Sequence, residues 1–463
     1  MIDFSFEPYK QEMLDLLKKF IQIESVKDEP APFMPYGKGI FDALMFVQSE
    51  AERMDLECVN LFGHMAYVDY GYADETLGIL VHVDIVPEGD GWSMPAFEGI
   101  EKDGKIYGRG AIDNKGPAIA ALFALRALSD NCVQLNKKVR LIFGADEESG
   151  WADMAFYKQH EPSPDIAFSP DGEFPVINAE KGLMHMIFTA GGKRKSDEGI
   201  YVSDFAAGTR VNVVPNSAHC DISAPLALIK KSLKTYNCPV GAKLEAEETS
   251  SGLVRITAHG KSAHGSRPED GVNAAGALLQ YLGTLPLAEG PAEKAIYKLA
   301  AKIGVTKHGE NVGLNVEDEA SGPLTMSLGT VEMKDGTVKV KVDIRFPISF
   351  TQEQVEQKLH EHFEDFDIEV EHALPTHYVP EDSELVVKLK ETYKEMTGDD
   401  AYCFAIGGAT YARAFENAVT FGPLFPGKPL VEHGPDEYIE IDTLMKNAAI
   451  IADAIIRLCE PDA

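Results

Sequence analysis

The stretch Leu77–Pro87, LGILVHVDIVP, decides how the rest of the chain is read. Ile79, Leu80, Val81 and Val83 form a near-continuous apolar run, the pattern of a strand buried on both faces of a parallel sheet. His82 and Asp84 stand at its end. Residues two apart in a strand share a face, so both polar groups point the same way. This suits a metal-bound imidazole oriented by a carboxylate at its other nitrogen. A core histidine satisfied by a nearby aspartate fits the same residues, and motifs further along must decide between the two.

Upstream, Met13, Leu17, Phe20 and Ile21, then Ile40, Leu44, Val47 and Met54, fall on single faces of amphipathic helices. Short strands are expected over 57–60 and 65–70. Downstream come a turn-rich loop at Pro87–Trp92, a hairpin through Lys102-Asp103-Gly104-Lys105, and the segment YGRGAIDNKG. Asp113 lies in that segment, immediately before a helix, where capping is the ordinary role of an aspartate. Val139–Phe143 is another apolar strand and runs straight into Asp146, Glu147 and Glu148. Three adjacent carboxylates at the end of a buried strand are costly unless positive charge sits among them. The crevice beyond the carboxyl ends of such strands is where α/β sheets bind ligands. The layout recurs where Ile166–Phe168 leads to Ser169-Pro170-Asp171.

From about Leu183 the pattern changes to antiparallel strands, at 183–189, 253–259, 324–331 and 338–345, with helices between them over 226–234, 273–285, 292–303 and 352–366. Strands grouped this way describe an α+β domain inserted over residues 181–377 into an α/β domain made of 1–180 and 378–463. The α/β pattern then resumes: a helix over 385–396, a glycine turn opening a helix at Ile406-Gly407-Gly408-Ala409-Thr410, a strand over 418–421, the segment VEHGPDE carrying His433, and a closing helix over 443–458.

Asp and Glu number 74 against 43 Lys and Arg, for a net charge of −31, so the long-range field repels nucleic acid and anionic membrane. Six scattered cysteines form no C-x-x-C pair. The charged start, MIDFSFEPYKQEM, lacks a signal peptide's apolar region, and no stretch matches a membrane span. A cytoplasmic protein is expected.

His82, Asp113, Glu148, Asp171 and His433 make a histidine and carboxylate set that would hold two divalent ions, with Asp84 and Glu147 beside them. Zn²⁺ suits this set best, and Mn²⁺ or Co²⁺ fits it as well. In order and spacing, HVDIVP, YGRGAIDNKGP, DEESG, SPDGEFP, GKSAHGSRPEDGVNAA and VEHGPDE resemble the M20 clan of metallopeptidases, most of all the PepV-type bacterial dipeptidases.

The resemblance implies a catalytic domain with a central mixed, mostly parallel sheet and helices on both faces. Its inserted lid would be a two-lobed α+β domain with antiparallel sheets. His82 and Asp171 would be terminal ligands of one metal, His433 and Glu148 of the other, with Asp113 bridging and a cis peptide bond after it. Asp84 would orient His82, and Glu147 would act as general base on a metal-bridging hydroxide. His264 would stabilise the oxyanion. Asn212, Arg345, Gly407 and Gly408 would hold the substrate, Arg345 through its terminal carboxylate. The expected enzyme is a monomeric dipeptidase acting on small unblocked peptides. An N-acyl amino acid deacylase or desuccinylase of the same clan, or a non-catalytic metal- and peptide-binding protein, are the other readings.

Overall fold

The structure is a computed structural model that describes residues 5–194 and 198–460. The first four residues of the amino-terminal stretch therefore lie outside it. The described residues form two compact units: those up to 178, 379–404 and those from 409 onward make the first, and those within 179–378 with 405–408 the second.

In the first unit the strands lie in the order Cys58–Asn60, Ala66–Tyr70, Lys138–Gly144, Thr76–His82, Ile166–Ser169, Ala418–Thr420 and Val176–Glu180. The parallel part is the middle four strands, and the pairings flanking them are antiparallel. Helices cover both faces, which explains the unbroken apolar run of the His82 strand. Leu77, Ile79, Val81 and Val83 pack into one core with the helices Lys10–Ile21, Lys38–Arg53, Lys115–Asp130 and Ile441–Leu458. Leu80 faces the opposite core, with Met65, Ile142, Met154, Tyr157 and Tyr411. His82 has the parity of Leu80, and its ring meets Tyr411 edge-on at 6.1 Å between centroids. The helix Ala152–His160 has no counterpart in the sequence reading.

The second unit is built on one eight-stranded antiparallel sheet, in the order Lys243–Glu248, Val254–His259, Ser217–Ile222, Val202–Ala207, Thr325–Lys334, Thr337–Phe346, Gly182–Gly191 and Asp367–Leu374. Pairing of Phe205–Ala207 with Val331–Met333 keeps this sheet continuous across its middle. The turn between Thr325–Lys334 and Thr337–Phe346 has Asp335 at φ 51° and Gly336 at φ 79°. Both are left-handed, as a two-residue hairpin turn requires. Helices Ala274–Leu282, Pro291–Lys302 and Gln352–His362 close the core. Among the described residues, no helix is long and apolar enough to cross a membrane.

The helix expected to open at Gly407-Gly408 is not there. A single 3-10 turn, Tyr411–Ala414, follows instead, because only a few residues separate it from the strand Ala418–Thr420.

Candidate metal centre

Strand ends and loops of the first unit converge on one acidic cluster. His82, fully buried, directs Nδ1 at the backbone carbonyl of Asp84, 2.9 Å away, with Asp84 Oδ1 at 3.4 Å. An N–H donated there leaves Nε2 as the lone-pair nitrogen, the tautomer a metal ligand needs. Asp84 Oδ2 accepts the amide N–H of Glu148 at 3.0 Å, so one aspartate touches two of the expected ligand residues. Its Oδ1 is buried without a hydrogen bond.

Asp113 is not a helix cap. The helix Lys115–Asp130 begins after Asn114, which makes no side-chain capping bond, and the Asp113–Asn114 peptide is cis. The Asp113 carboxylate divides instead between two imidazoles: Oδ1 lies 3.0 Å from His82 Nε2, and Oδ2 lies 3.0 Å from His433 Nε2. Asp171 Oδ2 is 3.5 Å from His82 Nε2, and Glu148 Oε1 is 3.0 Å from His433 Nε2. Two donor groups result, His82–Asp113–Asp171 and Asp113–Glu148–His433, each with its donor atoms within 4.8 Å of one another. Asn114, not anticipated from sequence, donates to Asp171 Oδ1 at 2.8 Å and to the carbonyl of Pro170 at 2.9 Å.

The electrostatics show what kind of ligand the cluster suits. Burial and the Asp171 charge push the Glu147 carboxyl well above its ordinary range. Burial and the Asp113 charge raise Glu148 to about 7. Burial opposes charge on His433, yet Asp113 and Glu148 lift it to about 11, and His82 moves the same way through Asp171 and Asp113. Burial would also raise Asp113, but the two histidines override it and hold its carboxyl far below the usual range. Carboxylates that raise one another's pKa are relieved either by holding protons or by cations set among them. One imidazole and one carboxylate on each side of a shared carboxylate fit a pair of divalent ions.

The sequence-predicted residues of the second unit also assemble with one another. Gly265 N–H donates to the Asn212 carbonyl at 2.7 Å. His264 Nδ1 lies 2.7 Å from Ser266 Oγ and accepts the Ser266 amide N–H at 3.2 Å, so the neutral ring carries its proton on Nε2. Arg345 grips buried Asp343 through Nε at 2.6 Å and Nη2 at 2.7 Å, and donates from Nη1 to the Gly407 carbonyl at 2.7 Å. Burial would raise Asp343, but the Arg345 charge holds it at about 2. Three of five guanidinium donors are thus engaged, with one N–H remaining on each terminal nitrogen. A Cβ on Gly407 would lie 2.8 Å from Ser266 Cβ, which keeps this position small. The part of Gly407 in use is its carbonyl, and Gly408 adjoins it in the loop.

Residues 78–457 match the family model described as Peptidase family M20/M25/M40. The chain belongs to this family. The motif resemblance and the metallopeptidase class it implied are thereby confirmed. This M20 peptidase is 35% identical to YtjP of Bacillus subtilis (strain 168) over 462 residues, covering 97% of this chain and 98% of the relative. It is 31% identical to the Beta-Ala-Xaa dipeptidase of Lactobacillus delbrueckii subsp. lactis, with 98% of each covered. Human carnosine dipeptidase 1 shares the fold with a TM-score of 0.61 at 16% identity, over 98% of this chain and 97% of the other. Dug1p from Saccharomyces cerevisiae matches with a TM-score of 0.60 at 16% identity, over 99% and 98%.

Proposed function

We propose that this M20 peptidase is a dipeptidase that hydrolyses unblocked dipeptides at a centre of two divalent ions, Zn²⁺ by preference. The observation that carries the reading is the pair of donor groups sharing Asp113. His82 and Asp171 would hold one ion, His433 and Glu148 the other, and Asp84 would fix the His82 ring. Bound there, the ions would acidify water and polarise the scissile carbonyl.

Glu147, like Asp84, is a carboxylate of the cluster outside both donor groups, and with Asp84 assigned to the His82 ring it is left to serve as base. It would take the proton of the attacking water and deliver it to the leaving amine. His264, with its proton on Nε2, is chemically fit to donate to the oxyanion. The remaining N–H groups of Arg345 would form a fork for a terminal carboxylate, and Asn212, Gly407 and Gly408 would also hold the substrate. Residues 181–377 would then act as a lid that closes over substrate, in a monomer of the cytoplasm. Support for the substrate class comes from the name borne by the Lactobacillus relative.

The test is a panel of dipeptides, β-alanyl ones included, set beside N-acetyl and N-succinyl amino acids. Each is incubated with protein loaded with Zn²⁺, Mn²⁺ or Co²⁺, and amino acid release is measured. Cleavage of dipeptides alone is the expected result. Cleavage of the acyl amino acids alone would move the assignment to a deacylase or desuccinylase, and no cleavage of either would favour a binding protein.

A further inference from the structure

Arg109 and Glu437 lie in two of the motifs quoted above but have no part in the reaction just described. They form an ion pair at 2.6 Å, with side chains 1% and 0% exposed. Such a pair is a poor source of stability, because desolvating both charges offsets most of their attraction, and an apolar pair of similar volume would serve a core as well. What the pair is good for shows in its other contacts. Glu437 Oε1 accepts the backbone N–H of Ile112 at 3.0 Å and of Asp113 at 3.3 Å. Its own carbonyl accepts the N–H of Gly108 at 2.9 Å. Arg109 Nη2 donates to the Glu88 carbonyl at 3.0 Å, in the loop that leaves His82 and Asp84, and the guanidinium lies 5.3 Å over the Trp92 ring. Glu437 also begins the return from His433 into the strand Tyr438–Glu440, which pairs with Lys105–Tyr107.

We infer that Arg109 and Glu437 are positioning residues. They tie the loops of His82, Asp113 and His433 together and so set the affinity of the site for its ions. The inference rests on the two-ion reading above. Asp113 serves both donor groups only while its two oxygens stay aimed at opposite imidazoles, and that aim depends on the backbone that carries it. One carboxylate holds the amide of Asp113 and the amide before it. One guanidinium holds that carboxylate and the neighbouring loop.

The test is a titration of metal-free protein with Co²⁺, followed by visible absorption and calorimetry, with the fold checked by circular dichroism. Wild type should take up two ions. Glu437→Gln keeps the shape but loses the charge and one acceptor, and should bind at least one ion about tenfold or more weakly. Arg109→Lys keeps the charge but cannot bridge Glu437 and the Glu88 carbonyl together. It should weaken binding in the same direction, and it decides alone if Glu437→Gln does not fold. Folded variants with Co²⁺ affinity within about twofold of wild type overturn the inference, even if their unfolding midpoints fall, since that is what a merely structural pair would do. Wild type that fails to bind two ions overturns the two-ion reading itself, and is recognised before any variant is compared.

Discussion

Glu147 and its neighbour Glu148 differ by one position and by role: Glu148 reaches His433, while Glu147 joins neither donor group. Glu147→Gln is expected to leave two ions bound, by elemental analysis, while kcat falls by about 10²–10⁴-fold, the range of a lost general base. Undiminished hydrolysis would remove Glu147 from the mechanism. His264→Ala should lower kcat by about 100-fold with little change in metal content. Steady-state kinetics on a cleaved dipeptide decides it, and a change of a few fold would exclude an oxyanion role. These two proposed roles were legible only as what the motif resemblance implies. Arg109, Asn114 and Glu437 were not, although all three sit inside quoted motifs. Each acts through backbone groups, and backbone partners leave no residue-type signature.

At the scale of elements, the acidic loop after the strand Lys138–Gly144 is held by the helix Ala152–His160. Asp153 Oδ2 accepts the amides of Ala145 at 2.7 Å and Asp146 at 3.2 Å, and also the Tyr411 hydroxyl. Trp151 Nε1 donates to the Glu147 carbonyl at 2.8 Å. Burial raises the Asp153 carboxyl to about 6 despite these donors. Gly144 ends the strand under the Tyr411 ring, where an added Cβ would meet Cε2 at 2.3 Å. Gly144→Ala should therefore cost about 1–3 kcal/mol through overpacking, read as a lower urea midpoint. An unchanged midpoint would show that Tyr411 yields freely. The helix went unseen in ADMAFYKQH because its apolar spacing is weak and its aspartate is turned inward to serve the loop. The helix wrongly expected after Gly407-Gly408 had the opposite cause: glycines suggested a helix start, but tertiary packing left room only for a 3-10 turn.

Over the whole molecule, the acidic centre links metal, protons and stability. Burial and the Asp113 charge push Glu148 up to about 7, and Asp113 and Glu148 lift His433 to about 11 against its burial, both above their ordinary values. A raised folded-state pKa gives stability that is complete below the unfolded value and is lost as pH rises through the folded one. Glu148 thus loses its contribution from about pH 4.5 to about 7, and His433 begins to lose its own above about 6.5. Asp113, lowered in the fold, adds stability that is constant through this window and is lost only in acid. Ions must displace the protons on Glu148 and His433, so binding should release protons and tighten as pH rises. Chelation is expected to lower Tm more at pH 8 than at pH 6, and calorimetry in buffers of different ionisation enthalpy should show net proton release. Proton uptake on binding would contradict the ligand assignment.

Residue order along the chain determined the family, the strands that lead to His82, Glu148 and Asp171, and the candidate ligands. Apolar periodicity and motif spacing are local properties, and they survive in a string. Only tertiary structure decided that Asp113 faces two histidines and caps no helix, that the guanidinium of Arg345 is already gripped by Asp343, and that Glu437 holds the backbone of Asp113. Those outcomes depend on contacts between residues far apart in sequence, where burial selects one partner among several chemically equivalent ones.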